Sequence, residues 1–172
     1  MLLGISNTKL FFLPIIYAGL RVNEAAHLKV TDIDSSNMRI FIRLSKGNKD
    51  RCFSLLSEKN LLLLREYWKL YRPKSWLFPG IPDTKPISAR AIQSVFHDAR
   101  LAAGVTKNVS VHTLRHCFAT HLLNNGASIL QIKDLLGHSG IQTTTLYLHL
   151  THAQVLGLKS PLDFANGGGF DA

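Results

Sequence analysis

Residues 112–137, HTLRHCFATHLLNNGASILQIKDLLG, contain two predicted helices with well-marked ends. The first runs over residues 112–125 and stops at Gly126, the residue type that most often follows a helix. Ser128, with a glutamine three residues later, forms a capping box for a second helix over residues 129–136. This part of the chain is therefore predicted to be helical.

The remainder is predicted to be mainly helical as well. Apolar periodicity and capping residues indicate five further helical segments, over residues 9–18, 21–28, 57–71, 88–103 and 141–150. Residues 38–44 alternate strictly between two faces, and residues 51–55 alternate again after a lysine-rich turn, as a β-hairpin does. The predicted fold class is mainly α with a small antiparallel β-sheet (α+β). Residues 1–160 are expected to form a single domain, followed by a loose tail over residues 161–172.

The charge of the chain is unevenly distributed. Lys and Arg number 20 against 11 Asp and Glu, which gives a formal net charge of +9. Residues 1–115 hold 18 basic and 8 acidic residues, whereas residues 116–172 hold 2 and 3. Such a surplus favours a polyanionic partner, and a DNA-facing surface is expected in the first two thirds of the chain. From charge alone, a merely basic soluble protein is almost as good an interpretation.

The cysteines, histidines and apolar runs argue against several other classes of protein. Cys52 and Cys117 form no CxxC pair and are expected to be buried thiols in a reducing compartment. The eight histidines form no HExxH motif and no cluster at zinc spacing, so no metal site is expected. The apolar run from Leu10 to Leu20 is too short to cross a bilayer. These observations predict a cytoplasmic protein without a membrane partner.

Two arginines lie where a phosphate could be bound. Arg21 follows a helix-stopping glycine and can point into a cleft, with Glu24 close enough to buttress the turn. His112 and Arg115 share a predicted helix face. There the guanidinium can bind phosphate oxygens bidentately and a neutral imidazole can exchange a proton. Taken alone, Arg21 is better interpreted as a surface arginine in an ion pair, and the alternative for His112 and Arg115 is an exposed polar face. The nearby His116 and His121 are interpreted as packing residues or as supports for the candidate catalytic residues.

Lys46, His138 and Tyr147 complete the set of candidate catalytic residues. Lys46 lies at the predicted hairpin tip, where a lysine can bind phosphate or protonate a leaving oxygen. His138 precedes Tyr147 by nine residues. A tyrosine on a short helix becomes a nucleophile only if nearby arginines neutralise the phosphate that it attacks.

In their order and spacing, these residues resemble the signature of the tyrosine recombinase (phage integrase) family, which is Arg, Lys, His-x-x-Arg, His or Trp, and Tyr. The matching positions are Arg21, Lys46, His112, Arg115, His138 and Tyr147. The surrounding GLRVNE, KGNKDR, HTLRHCFATHLL and LLGHS are similar as well, and the resemblance covers about Leu10 to Leu150. The closing KSPLD is similar to that of integron integrases. However, no insertion of the integron type precedes the His-x-x-Arg motif, which favours a Xer-like or mobile-element integrase.

The resemblance implies a DNA strand transferase that uses neither metal nor cofactor. The two arginines would hold the non-bridging oxygens of a phosphate, with a further hydrogen bond from His138. His112 would assist deprotonation of Tyr147, and Lys46 would protonate the departing 5′-oxygen. The product would be a 3′-phosphotyrosine bond that conserves the energy needed for rejoining.

The implied partner is double-stranded DNA. The residues expected to contact it outside the catalytic set are Arg43, Lys49, Arg51 and Arg90. Family members form tetramers on DNA, so a homotetramer on DNA and a monomer in isolation are expected. They usually carry a helical core-binding domain ahead of the catalytic domain, and this domain is expected to be absent from the chain.

Three alternatives remain open at this stage. The first is a type IB topoisomerase-like strand transferase, which shares the chemistry. The second is a non-catalytic DNA-binding or regulatory remnant of a recombinase. The third is a basic helical domain of unrelated function, in which the two arginines would behave like any other surface residue.

Overall fold

The computed structural model describes residues 18–45, 49–138 and 140–147, with the backbone alone for residues 44–45 and 49–55. In chain order the elements are α1 (Val22–Ala26), a 3₁₀ turn (Val30–Asp32), β1 (Ile33–Asp34), β2 (Arg39–Ser45), β3 (Lys49–Leu55), α2 (Glu58–Tyr71), α3 (Ala89–Ala102), α4 (Val111–Asn124), α5 (Ile129–Leu136) and α6 (Gln142–Thr145). The predicted fold class, mainly α with a small antiparallel sheet, is confirmed.

The sheet contains the predicted hairpin and one additional strand. β2 and β3 pair antiparallel, and β1 pairs antiparallel with β2 at the other edge. Ile40 and Ile42 are buried while Phe41 between them is 38% exposed, which confirms the alternation expected along β2. β1 was not predicted because two residues are too few for a periodic signal.

The serine caps explain why three of the helices begin where they do. In each, the serine hydroxyl accepts a hydrogen bond from a backbone N–H three residues later: Ser57 from Asn60 at 3.2 Å, Ser88 from Ala91 at 3.1 Å, and Ser128 from Gln131 at 3.2 Å. The helix predicted over residues 141–150 is only four residues long in the described part. It gives way to a turn in which the Tyr147 N–H bonds to the Thr144 carbonyl at 3.1 Å.

Two clusters of buried apolar side chains make up the described core. The larger joins α1, the sheet, α2 and α3, and includes Ile40, Leu64, Phe78 and Ile92. The smaller cluster comprises Phe118, Ala119, Leu123, Ile132, Leu136 and Tyr147. Gly19 lies against this smaller cluster with a φ of +59°, and a Cβ there would overlap the Phe118 ring. This glycine therefore lets the chain pass close to α4 on its way into α1.

The expectation that Cys117 is buried was wrong, since its side chain is exposed on α4. It lies two positions after Arg115 and therefore points away from the buried face of the helix. Several predictions fall outside the described residues: the helix over residues 9–18 except for Ala18, Lys46, the side chain of Cys52, and the tail over residues 161–172. Within the described ranges, no helix combines the length and apolar character that crossing a bilayer demands.

Candidate active site

Arg115 is the most deeply buried charged side chain of the site. Its side chain is 2% exposed, and its two terminal nitrogens donate hydrogen bonds of 2.6 Å to the carbonyls of Gly19 and Leu136. The Glu24 carboxylate lies 3.8 Å away. A buried guanidinium needs such partners because loss of its hydration is costly. Arg115 thus joins the segment before α1, the end of α5 and its own helix α4.

Arg21 approaches the same place from the start of α1. Glu24 accepts from the Arg21 backbone N–H at 2.7 Å and from its guanidinium at 2.8 Å, which confirms that this glutamate buttresses the turn. A second guanidinium nitrogen donates to the Gly137 carbonyl at 3.4 Å. Unlike Arg115, the Arg21 side chain is 31% exposed. It is therefore the arginine of the pair that faces solvent.

The C-terminal end of α5 is where the two arginines converge. The last carbonyls of a helix have no partner within it and carry partial negative charge, so cations are stabilised there. Leu136 and Gly137 supply such carbonyls, and Gly137 ends the helix with a φ of +62°. Glu24 contacts both guanidinium groups, so one carboxylate faces two positive charges. The cluster keeps a positive surplus suited to an anion.

His112 and Tyr147 are linked through His116. The rings of His112 and His116 meet edge to face with centroids 4.6 Å apart, and the His116 ring lies 5.5 Å from that of Tyr147. Burial lowers the pKa of His112, and electrostatic interactions with His116, Arg115 and Arg21 lower it further. His112 is therefore kept neutral and able to accept a proton. The contact of His116 with Tyr147 could not be predicted from the sequence, because ring contacts between different elements leave no trace in residue spacing.

Tyr147 is 3% exposed and packs in the smaller apolar cluster. Burial raises the pKa of its hydroxyl, while the charge of Arg115 acts in the opposite direction. His138 lies at the same end of α5, and its Nδ1 is 2.9 Å from the Thr144 hydroxyl on α6. The structure thus places Arg21, His112, Arg115, His138 and Tyr147 around one helix end.

A cavity of about 420 Å³ opens beside Arg21 and His112. Its wall also includes Gln93, His97 and Phe96 from α3, with Val109, Ser110 and Val111 before and at the start of α4. Gln93 and His97 are exposed and offer hydrogen-bonding groups in the same cavity as Arg21. Neither residue stands out in the sequence, because both occupy ordinary polar positions of an amphipathic helix.

Of the residues expected to contact DNA outside the catalytic set, the structure describes the side chains of Arg43 and Arg90. Arg90 is exposed in the first turn of α3. The Arg43 side chain is 59% exposed, but its Nε donates to the Asp32 carboxylate at 2.7 Å. Arg43 therefore also ties β2 to the 3₁₀ turn. The side chains of Lys49 and Arg51, like the whole of Lys46, lie outside the described residues.

In the part of the chain that the structure describes, no group of three or more His, Cys, Asp and Glu side chains could hold a metal ion. The chemistry that can be built from the described site is that of two guanidinium groups, three imidazoles and a tyrosine. The described site therefore combines two arginines at the end of α5 with a buried tyrosine, within an α+β fold.

Comparison with known proteins shows the family to which this fold and this set of residues belong. The model of the phage integrase family matches residues 5–154, and the chain belongs to that family. It is 44% identical over 146 residues to y4qK of Sinorhizobium fredii, whose name describes an integrase/recombinase, covering 85% of this chain and 47% of that protein. It is 36% identical over 142 residues to the tyrosine recombinase XerC of Lactobacillus leichmannii, covering 77% of this chain and 47% of that one.

A solved structure supports the same assignment. The crystal structure of XerA recombinase superposes with a TM-score of 0.74 at 27% identity, covering 99% of this chain and 65% of that one. A structure of the XerH site-specific recombinase bound to palindromic difH substrate has a TM-score of 0.77 at 24% identity, over 90% of this chain and 46% of that one, and shows the shared fold. The chain spans about half the length of the curated relatives that it matches.

Proposed function

We propose that this chain is the catalytic domain of a site-specific recombinase that cuts and rejoins double-stranded DNA through a covalent bond to Tyr147. One observation carries the proposal. Arg21 and Arg115, far apart in sequence, converge on the carbonyls that end α5, and Tyr147 packs in the cluster that contains Leu136 of the same helix end. A phosphate bound there would lie beside a nucleophile.

In the cleavage step, the Tyr147 hydroxyl oxygen attacks the phosphorus of a DNA phosphodiester. A Tyr147–phosphate bond forms and the bond to the 5′-oxygen breaks. The hydroxyl proton passes to a neutral imidazole, His112, whose neighbour His116 contacts the tyrosine ring. Lys46 donates the proton that the departing 5′-oxygen needs. Rejoining reverses these steps, so the 5′-hydroxyl displaces Tyr147 and the number of phosphodiester bonds is conserved.

The positive charges act on the transition state. Attack adds negative charge to the non-bridging oxygens, and fixed donors aimed at that charge are the largest single contribution to many such reactions. Arg21, at the solvent-facing side, contacts the phosphate directly, and the buried Arg115 supplies charge from beneath. His138 donates a further hydrogen bond. Arg43, Lys49, Arg51 and Arg90 bind the flanking DNA backbone, where each contact adds salt-dependent affinity.

The proposal also includes a homotetramer on DNA, a monomer in isolation and a cytoplasmic location. XerH, which shares the fold, was solved in complex with its DNA substrate, and this supports a DNA partner.

One observation favours a second candidate, a DNA-binding remnant without catalysis. Tyr147 is 3% exposed, so it must be presented to the phosphate before it can react.

A denaturation-resistant adduct separates these two functions. The chain is incubated with nicked duplexes of randomised sequence, in which the short cleaved fragment diffuses away and traps the protein on DNA. We expect an adduct that survives SDS, with a nucleotide attached to the peptide that contains Tyr147. Tyr147→Phe should abolish it, and Tyr71→Phe, at an exposed tyrosine of α2, should not. DNA binding without any adduct would overturn the catalytic proposal and support the remnant.

A further inference from the structure

Thr144 differs from the two threonines on either side of it. It is fully buried in α6, whereas Thr143 is exposed and Thr145 is partly exposed. The Thr145 hydroxyl donates to the Gln142 carbonyl of its own helix at 2.8 Å. The Thr144 hydroxyl instead lies 2.9 Å from Nδ1 of His138, on another segment. A buried hydroxyl needs a hydrogen-bond partner, and here the partner is a proposed phosphate ligand.

The backbone of Thr144 is engaged at the same time. Its N–H donates to the Ile141 carbonyl at 2.8 Å, and its carbonyl accepts from the N–H of Tyr147 at 3.1 Å. One residue is therefore bonded both to His138 and to the residue that carries the proposed nucleophile. Since α6 has only four residues, these bonds are a large part of what orients its turn.

The same connection continues to the arginines. His138 directly follows Gly137, whose carbonyl accepts a hydrogen bond from Arg21. The carbonyl of the preceding residue, Leu136, accepts one from Arg115. The His138 N–H is bonded to the Lys133 carbonyl of α5 at 3.1 Å. A continuous path of covalent and hydrogen bonds thus runs from the guanidinium groups through His138 and Thr144 to Tyr147.

We propose that Thr144 is a positioning residue for strand cleavage, which orients the His138 ring and fixes Tyr147 relative to it. The inference rests on the function proposed above. Because Nδ1 is engaged by the Thr144 hydroxyl, Nε2 is the ring nitrogen that the proposal assigns to the phosphate. Thr144 itself does not contact the DNA. It acts through His138 and through the turn.

The first test does not depend on activity. Nitrogen-15 NMR of histidine-labelled protein reports the tautomer of each ring, and a His138→Gln sample assigns the signal. Thr144→Val replaces the hydroxyl by a methyl group of similar size, and the His138 ring nitrogens should then shift toward a mixture of tautomers. Thr144→Ser should restore the original signals, and Thr145→Val should leave them unchanged. An unchanged His138 spectrum in Thr144→Val overturns the proposal. Should Thr144→Val fail to fold, Thr144→Ala gives the same comparison.

The second test measures the rate of adduct formation with the trapped nicked substrate at saturating DNA. Thr144→Val should slow this rate about 10- to 100-fold, the range seen when a hydrogen bond that orients a metal-ligating histidine is removed. The DNA Kd should change less than about twofold, since an orienting role leaves ground-state binding intact. Thr144→Ser should recover most of the rate, and Thr145→Val should keep the original rate.

A double variant decides whether Thr144 acts through His138. In the His138→Ala background, Thr144→Val should slow the residual rate much less than it does alone. A full additional loss means that the hydroxyl acts independently of His138 and overturns the proposal. If the unmodified chain forms no adduct, the proposed function fails, while the NMR comparison still decides whether Thr144 orients His138.

Discussion

The arginine-bearing part of the site and the tyrosine-bearing turn are held in place by different means. Arg115 is bonded at 2.6 Å to backbone carbonyls of two distant segments and lies 3.8 Å from a buried carboxylate. Among the described residues, Tyr147 follows a helix of four residues, its ring packs in the smaller apolar cluster, and its N–H is bonded to the Thr144 carbonyl. In the described residues, the two arginines are therefore held by bonds to distant segments, whereas the proposed nucleophile is carried by a short turn.

Substitution of either arginine should give the largest effect on the reaction rate. The two substitutions should differ in their effect on stability. Arg21→Ala should slow adduct formation about 100- to 1000-fold, as the loss of one transition-state donor does, and Arg115→Ala, which removes the charge beneath the phosphate, should slow it by a similar factor. Only Arg115→Ala should also lower the free energy of unfolding strongly, by about 3 kcal/mol or more, because it leaves buried carbonyls without their donor. Stopped-time adduct assays and urea unfolding measure the two quantities.

The matched control for this pair is Arg65→Ala, at an exposed arginine of α2. It should alter neither the rate nor the stability by much, since isolated surface charges contribute little. Equal stability of the Arg21 and Arg115 variants would show that the buried arginine is not a structural anchor, and the contrast between the two regions would be lost.

Glu24→Gln should have the next largest effect. The glutamine keeps the shape and can still accept hydrogen bonds, but it removes the charge that faces both guanidinium groups. We expect a loss of about 1–3 kcal/mol in the free energy of unfolding, visible as a lower Tm. Glu66→Gln, at an exposed position of α2, is the control and should leave the Tm nearly unchanged. A Glu24 variant as stable as this control would mean that the arginines do not need their shared carboxylate.

The pH dependence should be the smallest effect near neutrality. Burial lowers the pKa of His112 below the ordinary histidine value, so its neutral, proton-accepting form prevails at pH 7 and is lost only as the pH falls below that shifted pKa. The rate of adduct formation should therefore vary less than about twofold between about pH 7 and 8.5 and decline in mild acid. His112→Gln should flatten the decline. A rate that climbs steadily with pH would instead indicate that spontaneous ionisation of Tyr147, whose pKa burial raises, limits the reaction.

Much of the fold could be predicted from the sequence because its signals are local. Ser57, Ser88 and Ser128 mark helix starts by bonding to N–H groups three residues away, and Gly137 marks a helix end through its positive φ. The alternation of apolar and polar residues along β2 predicts that one face of this strand is buried. The exposure of Cys117 could not be predicted this way, because which face of α4 is covered depends on α5 and α6.

The sequence by itself determined the fold class, the family and the identity of the candidate residues, because caps, periodicity and motif order are written in neighbouring positions. Tertiary structure alone decided how those residues meet. Only packing brings Arg115 to the carbonyls of Gly19 and Leu136, places Glu24 between two arginines and lays His116 against Tyr147. It also distinguishes Thr144 from two identical neighbours, because a hydroxyl acquires a role only from what lies opposite it in the folded chain.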